Sequence, residues 1–141
     1  MKNKMQNDDF ISLIKNALSQ NQTATFKVKG SSMWPFYKDQ ATSIVLTKKD
    51  EYKKLDVVLA TYQNRYVLHR IIKKNNNGFI LRGDGAFSNE EISPEDIIGY
   101  SVSHETKKSI KENNIVYRFK VILWIYNPLR RIMIHLFRKK K

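Results

Sequence analysis

Ser32 stands in an unusual run, Gly30-Ser31-Ser32-Met33-Trp34-Pro35-Phe36, where two hydroxyls follow a glycine and two bulky apolar residues precede a proline. A serine hydroxyl is a weak nucleophile until a neighbouring base takes its proton. His69 is the candidate base. In Arg65–Ile72, "RYVLHRII", alternation puts Val67, His69 and Ile71 on one face and Tyr66, Leu68, Arg70 and Ile72 on the other. A histidine between two aliphatic neighbours is either a satisfied core residue or a desolvated base. The third group, which would hold the imidazole, is sought in "LRGDGAFSNEE": Asp84 within Gly-Asp-Gly, with Glu90 and Glu91 just after it. Gly-Asp-Gly also makes a good hydrogen-bonded turn. His104 and His135 lie in charged segments beyond the main strand region and have weaker claims. The chain has no cysteine, and its three histidines lack zinc-ligand spacing, so no metal or other cofactor is implied.

Positioning these groups requires a β-rich frame. "TFKVK" alternates Phe26 and Val28 with lysines, Ser43 to Leu46 and Asp56 to Tyr62 are apolar enough for buried strands, and Gln63-Asn64 is a tight turn into "RYVLHRII". "KKNNNG" turns into "FILRG", which completes a meander, and "IIGYSVS" is a last strand. Before them, Asp8 or Asp9 caps a helix whose stripe is Phe10, Leu13, Ile14, Ala17 and Leu18. After them, Ile115 to Tyr126 is strongly apolar and fits strand or helix. Asn127-Pro128 then reads as the cap and first residue of a helix with Leu129, Ile132, Met133, Leu136 and Phe137 on one stripe.

At 141 residues the chain fits one domain. The formal net charge is +13, and eight of the basic residues (Arg118, Lys120, Arg130, Arg131, Arg138 and Lys139 to Lys141) fall in a tail with no acid. Such a tail calls for an anionic partner. Its apolar stripe suits lipid better than the grooves of a nucleic acid, and the alternative is a helix packed on the core. No apolar run is long enough to span a bilayer, and the polar start lacks a secretory signal.

The set "GSSMWP", "VLHRI", "RGDG" and "IIGY", in that order over Gly30 to roughly Ser103, resembles the signal peptidase I family of serine endopeptidases and the self-cleaving repressor peptidases that share its fold. The matching positions are Gly30, Ser32, Met33, Pro35, His69, Arg70, Gly83, Asp84 and Gly99, and the His-Arg pair looks like the histidine-base branch. The resemblance implies that Ser32 is the nucleophile and His69 the base. Asp84, Glu90 or Glu91 would orient it, and Met33 and Trp34 would flank a substrate groove or a membrane-facing surface. The Ser32 N–H would serve the oxyanion. The family's usual N-terminal span and the Asn that follows its Gly-Asp box are missing.

The expectation is therefore a mainly β peptidase fold with an N-terminal helix and a C-terminal amphipathic helix. It divides into an N-terminal helix and linker (1–24), a β domain (25–114) and a basic segment (115–141). The expected catalytic set is Ser32, His69 and Asp84. The partners would be an extended leader- or signal-like peptide and an anionic membrane surface, met peripherally from the cytoplasmic side, with no specific nucleic acid. The competing readings are a non-catalytic peptide-binding module of the same fold and a repressor-like nucleic-acid protein. Against the latter, the N-terminal helix is single and has no helix-turn-helix partner.

Overall fold

The computed structural model describes the backbone of residues 2–140 and the side chains from Asp8 onward, so Met1 and Lys141, the ends of the first and last expected segments, lie outside the described residues. Helix α1 (Lys2–Ser19) starts before Asp8 and Asp9, which are therefore inside it and do not cap it. It buries Ile11, Ile14 and Leu18, at i, i+3 and i+7, whereas Phe10 and Leu13 of the expected stripe are exposed. Each buried side chain contributes about 1.5–3 kcal/mol, enough to fix the helix to the sheet.

Eight strands follow: β1 (Ala24–Lys27), β2 (Ser43–Thr47), β3 (Val57–Tyr62), β4 (Arg65–Lys74), β5 (Phe79–Arg82), β6 (Glu90–Ile92), β7 (Ile97–Glu105) and β8 (Ser109–Lys111). They form one sheet in the order β1-β2-β7-β3-β4-β5-β6, with β8 paired to β7 and every described pairing antiparallel. The β3-β4-β5 meander is present. Its first turn is made by Gln63 and Asn64, both at positive φ (49° and 61°), as a two-residue hairpin requires. Strand β3 explains why "VVLA" is uninterrupted: Val57 and Leu59 enter a core under α1, and Val58 and Ala60 enter a second core on the opposite face with Val67, Ile71 and Leu81. The mostly antiparallel sheet with an N-terminal helix and C-terminal helices is the expected architecture.

Ile115–Ile125 is helical (α2), capped by Asn114, whose Oδ1 accepts the Tyr117 N–H at 3.0 Å. Asn127 Oδ1 accepts the Leu129 N–H at 2.9 Å, and α3 (Arg130–Lys139) begins two residues later than the Asn-Pro pair suggests. Both helices bury an i, i+4, i+7 line on the body of the protein: Tyr117, Val121 and Trp124 from α2, and Arg130, Ile134 and the half-buried Phe137 from α3. Among the described residues no helix is long and apolar enough to cross a membrane.

Candidate active site

Gly30, at φ 82°, reverses the chain after β1, and its N–H donates to Asp39 Oδ1 at 2.7 Å. The turn that follows presents Ser32 to a cleft of about 780 Å³, whose walls include Val28, Leu59 and the β4 residues Arg65 to His69. Ser32 and His69 thus share one cleft. Their meeting point is Gly83. One residue beyond the last β4–β5 pair, Arg70 with Arg82, comes His69 opposite Gly83. A Cβ on Gly83 would lie 2.3 Å from the Ser32 carbonyl oxygen and 3.1 Å from His69 Cδ2, so the serine turn and the Cδ2 edge of the ring converge on a position that tolerates no side chain.

The imidazole is held by Glu90. His69 Nδ1 lies 2.5 Å from Glu90 Oε1, with both side chains buried. Glu90 reaches it because β6 pairs with β5 at Leu81, and no side chain at Gly83 blocks the diagonal. With Nδ1 occupied, Nε2 is the nitrogen left for proton transfer, the arrangement in which a carboxylate fixes a histidine's tautomer and orientation.

Asp84 does not orient His69. Its two oxygens accept from Arg70 Nε (2.9 Å) and Nη2 (2.8 Å), a two-pronged ion pair in which each side chain is only 2% exposed. Arg70 also donates to the Leu55 carbonyl and to the Tyr117 hydroxyl. Burial alone would pull the guanidinium down, but the adjacent Asp84 carboxylate more than offsets this and holds it well above its ordinary value. The physical reason for the correction is strand parity. Arg70 lies on the face of β4 opposite to His69, and Asp84 follows Arg70. Glu91, the other competitor, is exposed. His104 is buried away from the cleft, its Nδ1 3.0 Å from Glu112 Oε2, and is a core histidine.

Met33 and Trp34 also have roles other than those expected. Met33 is 1% exposed, and its sulfur accepts the Asp84 N–H at 3.5 Å. Trp34 stacks on Phe137 at 4.3 Å and meets Trp124 edge-on at 5.6 Å. Neither lines the cleft. They are apolar because they anchor the serine turn to the loop of Gly83 to Ala86 and to the C-terminal helices. Gly85 N–H completes the link by donating to the Ser32 carbonyl at 2.8 Å.

Glu90 had a signal in the sequence. Read as a strand, "EEI" places Glu90 on the same face as Ile92, both buried, with Glu91 outward between them. The arrangement as a whole is a serine and a buried histidine on one cleft, with a carboxylate behind the histidine, the set of groups that general-base activation of a hydroxyl requires. A family model described as Peptidase S24-like matches residues 2–102. A comparison with curated proteins gives no match.

Proposed function

The chain belongs to the Peptidase S24-like family, and on that premise we propose that it is a serine endopeptidase of signal-peptidase type working through Ser32, His69 and Glu90. The observation that carries the reading is the shared cleft of Ser32 and His69, with His69 Nδ1 held by buried Glu90. Ser32 Oγ attacks the scissile carbonyl as its proton passes to His69 Nε2, and the Ser32 N–H donates to the oxyanion. The imidazolium returns that proton to the leaving amine. Water, deprotonated by His69 in turn, then hydrolyses the acyl-enzyme.

The cleft supports an extended substrate. β1 is an edge strand, and β5 pairs with β4 only from Arg70 onward, so Arg65 to His69 have no strand partner on that side. A peptide laid between them as an added strand would use main-chain hydrogen bonds and alternate side-chain pockets. Small residues before the cut are what the family resemblance implies.

The test is a defined peptide mixture incubated with the full chain and read by mass spectrometry for new termini. Cleavage is expected from the wild type and from Ser31→Ala, and none from Ser32→Ala or His69→Ala with unchanged circular dichroism. Cleavage by Ser32→Ala at the wild-type rate would sink the mechanism. Saturable peptide binding without any cleavage would favour the non-catalytic module.

A further inference from the structure

Helix α3 is packed inside out. Its buried line starts with Arg130 and Ile134, while Leu129, Ile132, Met133 and Leu136 face outward, each at least 41% exposed. The apolar stripe of this helix is therefore not its core contact. Helix α2 and its C-cap likewise turn Ile115, Val116, Phe119, Ile122, Leu123 and Tyr126 to the outside, all exposed. A run of ten large apolar residues on two consecutive helices is more than a monomer normally leaves in water.

The inward line of the same two helices grips the loop under Ser32. Arg130 Nη2 donates to the carbonyls of Gly83 (3.0 Å), Asp84 (3.0 Å) and Ala86 (2.5 Å). Trp124 Nε1 donates to the Asp84 carbonyl at 2.8 Å, and Arg138 Nη2 to the Gly85 carbonyl at 2.9 Å. Every carbonyl from Gly83 to Ala86 is thus taken by a side chain of α2 or α3, and the loop so held gives its Gly85 N–H to Ser32. Arg130 has no carboxylate among these partners, and its Nε has no partner among the described residues. A buried cation spent on main-chain oxygens is a costly arrangement, and its product is a fixed loop.

We propose that α2 and α3 are one two-faced device: the outward face seats the protein on an anionic lipid bilayer, and the inward face, through Arg130, Trp124 and Arg138, positions the Gly83–Ala86 loop beneath Ser32. The occupant is a membrane because of charge. From Asn113 to the end the chain has no acid, and Arg118, Lys120, Arg131, Lys139 and Lys140 remain in the same segment, all but Arg118 exposed, after Arg130 and Arg138 are used. A second copy would bring the same positive charge against this one, whereas an anionic bilayer complements the charge and accepts the apolar side chains. The membrane-seated segment is in this account part of the catalytic unit and not a detachable anchor. The positioning half rests on the peptidase reading; the docking half does not.

The experiment uses the full chain with vesicles of phosphatidylcholine alone or with phosphatidylglycerol. Flotation with the anionic vesicles only, reduced at high salt, is expected. Each basic side chain near the surface changes partitioning about five-fold. Ile132→Ser with Leu136→Ser, and separately Phe119→Ser with Leu123→Ser, should abolish flotation without lowering the melting temperature. Arg130→Gln and Trp124→Phe should still float, but lose hydrogen-exchange protection at Gly85 and Ala86 and lower kcat with little change in KM, and Arg130→Lys should recover part of it. Equal flotation with neutral vesicles, or flotation of the serine variants, overturns the docking surface. So does a dimer in sedimentation that those variants dissolve, since a second copy would then cover the face. Wild-type exchange at Gly85 in Arg130→Gln overturns the clamp. Because exchange and flotation need no substrate, a failure of the loop clamp or of the docking surface is distinguishable from a failure of the peptidase reading.

Discussion

Exchanging each carboxylate for its amide separates the two acids that competed for the base. In Glu90→Gln the 2.5 Å contact to His69 Nδ1 becomes a neutral hydrogen bond that can as well select the wrong tautomer. General-base catalysis contributes about 10²–10⁴-fold, so turnover should fall by roughly that factor, equivalent to about 2.7–5.4 kcal/mol of barrier. The fold loses only about 1 kcal/mol, since a hydrogen bond survives. Asp84→Asn acts in the opposite way. Arg70, 2% exposed in its side chain, is left as a buried cation without its counter-ion, at a cost of about 3–5 kcal/mol. For a chain of this size that is on the order of 10 °C or more in melting temperature. Turnover per folded molecule should change less than about tenfold, because Asp84 holds Arg70 and not the base. Both variants would be measured by scanning fluorimetry and by kcat on the best peptide from the mixture, with active protein titrated. Turnover near wild type in Glu90→Gln, together with a hundredfold loss at unchanged melting temperature in Asp84→Asn, would falsify the assignment of Glu90.

Gly83→Ala places a methyl 2.3 Å from the Ser32 carbonyl oxygen; main chain must move, so we expect at least a tenfold loss of turnover and about 1–3 kcal/mol of stability, read from kinetics and urea midpoints. Burial would raise the Glu112 carboxyl, but His104 and the hydroxyls of Ser101 and Tyr37 hold it below its ordinary value. Its stabilisation is therefore complete above the unfolded carboxylate range and is lost as pH falls through the lowered folded value; Glu112→Gln should flatten the fall in urea midpoint on that acid side, and an unchanged slope would refute the linkage. Among the described residues the cleft is lined by Lys27, Lys29 and Arg65 and by no acid, so Arg65→Glu with Lys29→Glu should lower kcat/KM for acidic peptides and raise it for basic ones, an effect that shrinks in salt.

The meander, its turn and the faces of β4 follow from apolar patterning, continuous in β3, which feeds two cores, and alternating in β5, which feeds one, and a one-residue slip would turn His69 into the wrong layer. Ser32 and His69 could be singled out for the same reason, as polar groups at positions the pattern marks as inward or constrained. Glu90 was harder. It is reached across two strands, and only the register of β5 on β4 and of β6 on β5 brings it to the ring. The sequence neighbourhood favours Asp84, which follows a glycine in a recognisable box, yet that residue belongs to the other face of β4 through Arg70. Local spacing ranks acids by distance along the chain, whereas the sheet ranks them by parity.

The C-terminal helices mark a different limit. Periodicity identifies the line of Leu129, Ile132, Met133 and Leu136 but carries no sign: the same four residues describe a helix laid on a core and a helix turned away from it. What fixes the sign here is polar chemistry on the other face. Arg130, Trp124 and Arg138 donate to the four loop carbonyls Gly83 to Ala86, in buried contacts at Gly83 and Asp84 and half-buried ones at Gly85 and Ala86. Once the arginine face is committed to those oxygens, geometry turns the leucines and isoleucines outward. Phe137, at the edge between the two faces, turns in to stack on Trp34. The oddity of a serine turn carrying Met33 and Trp34 and the oddity of a basic helix with an exposed apolar stripe therefore have one cause. Both follow from using the C-terminal segment to hold the loop on which the serine rests.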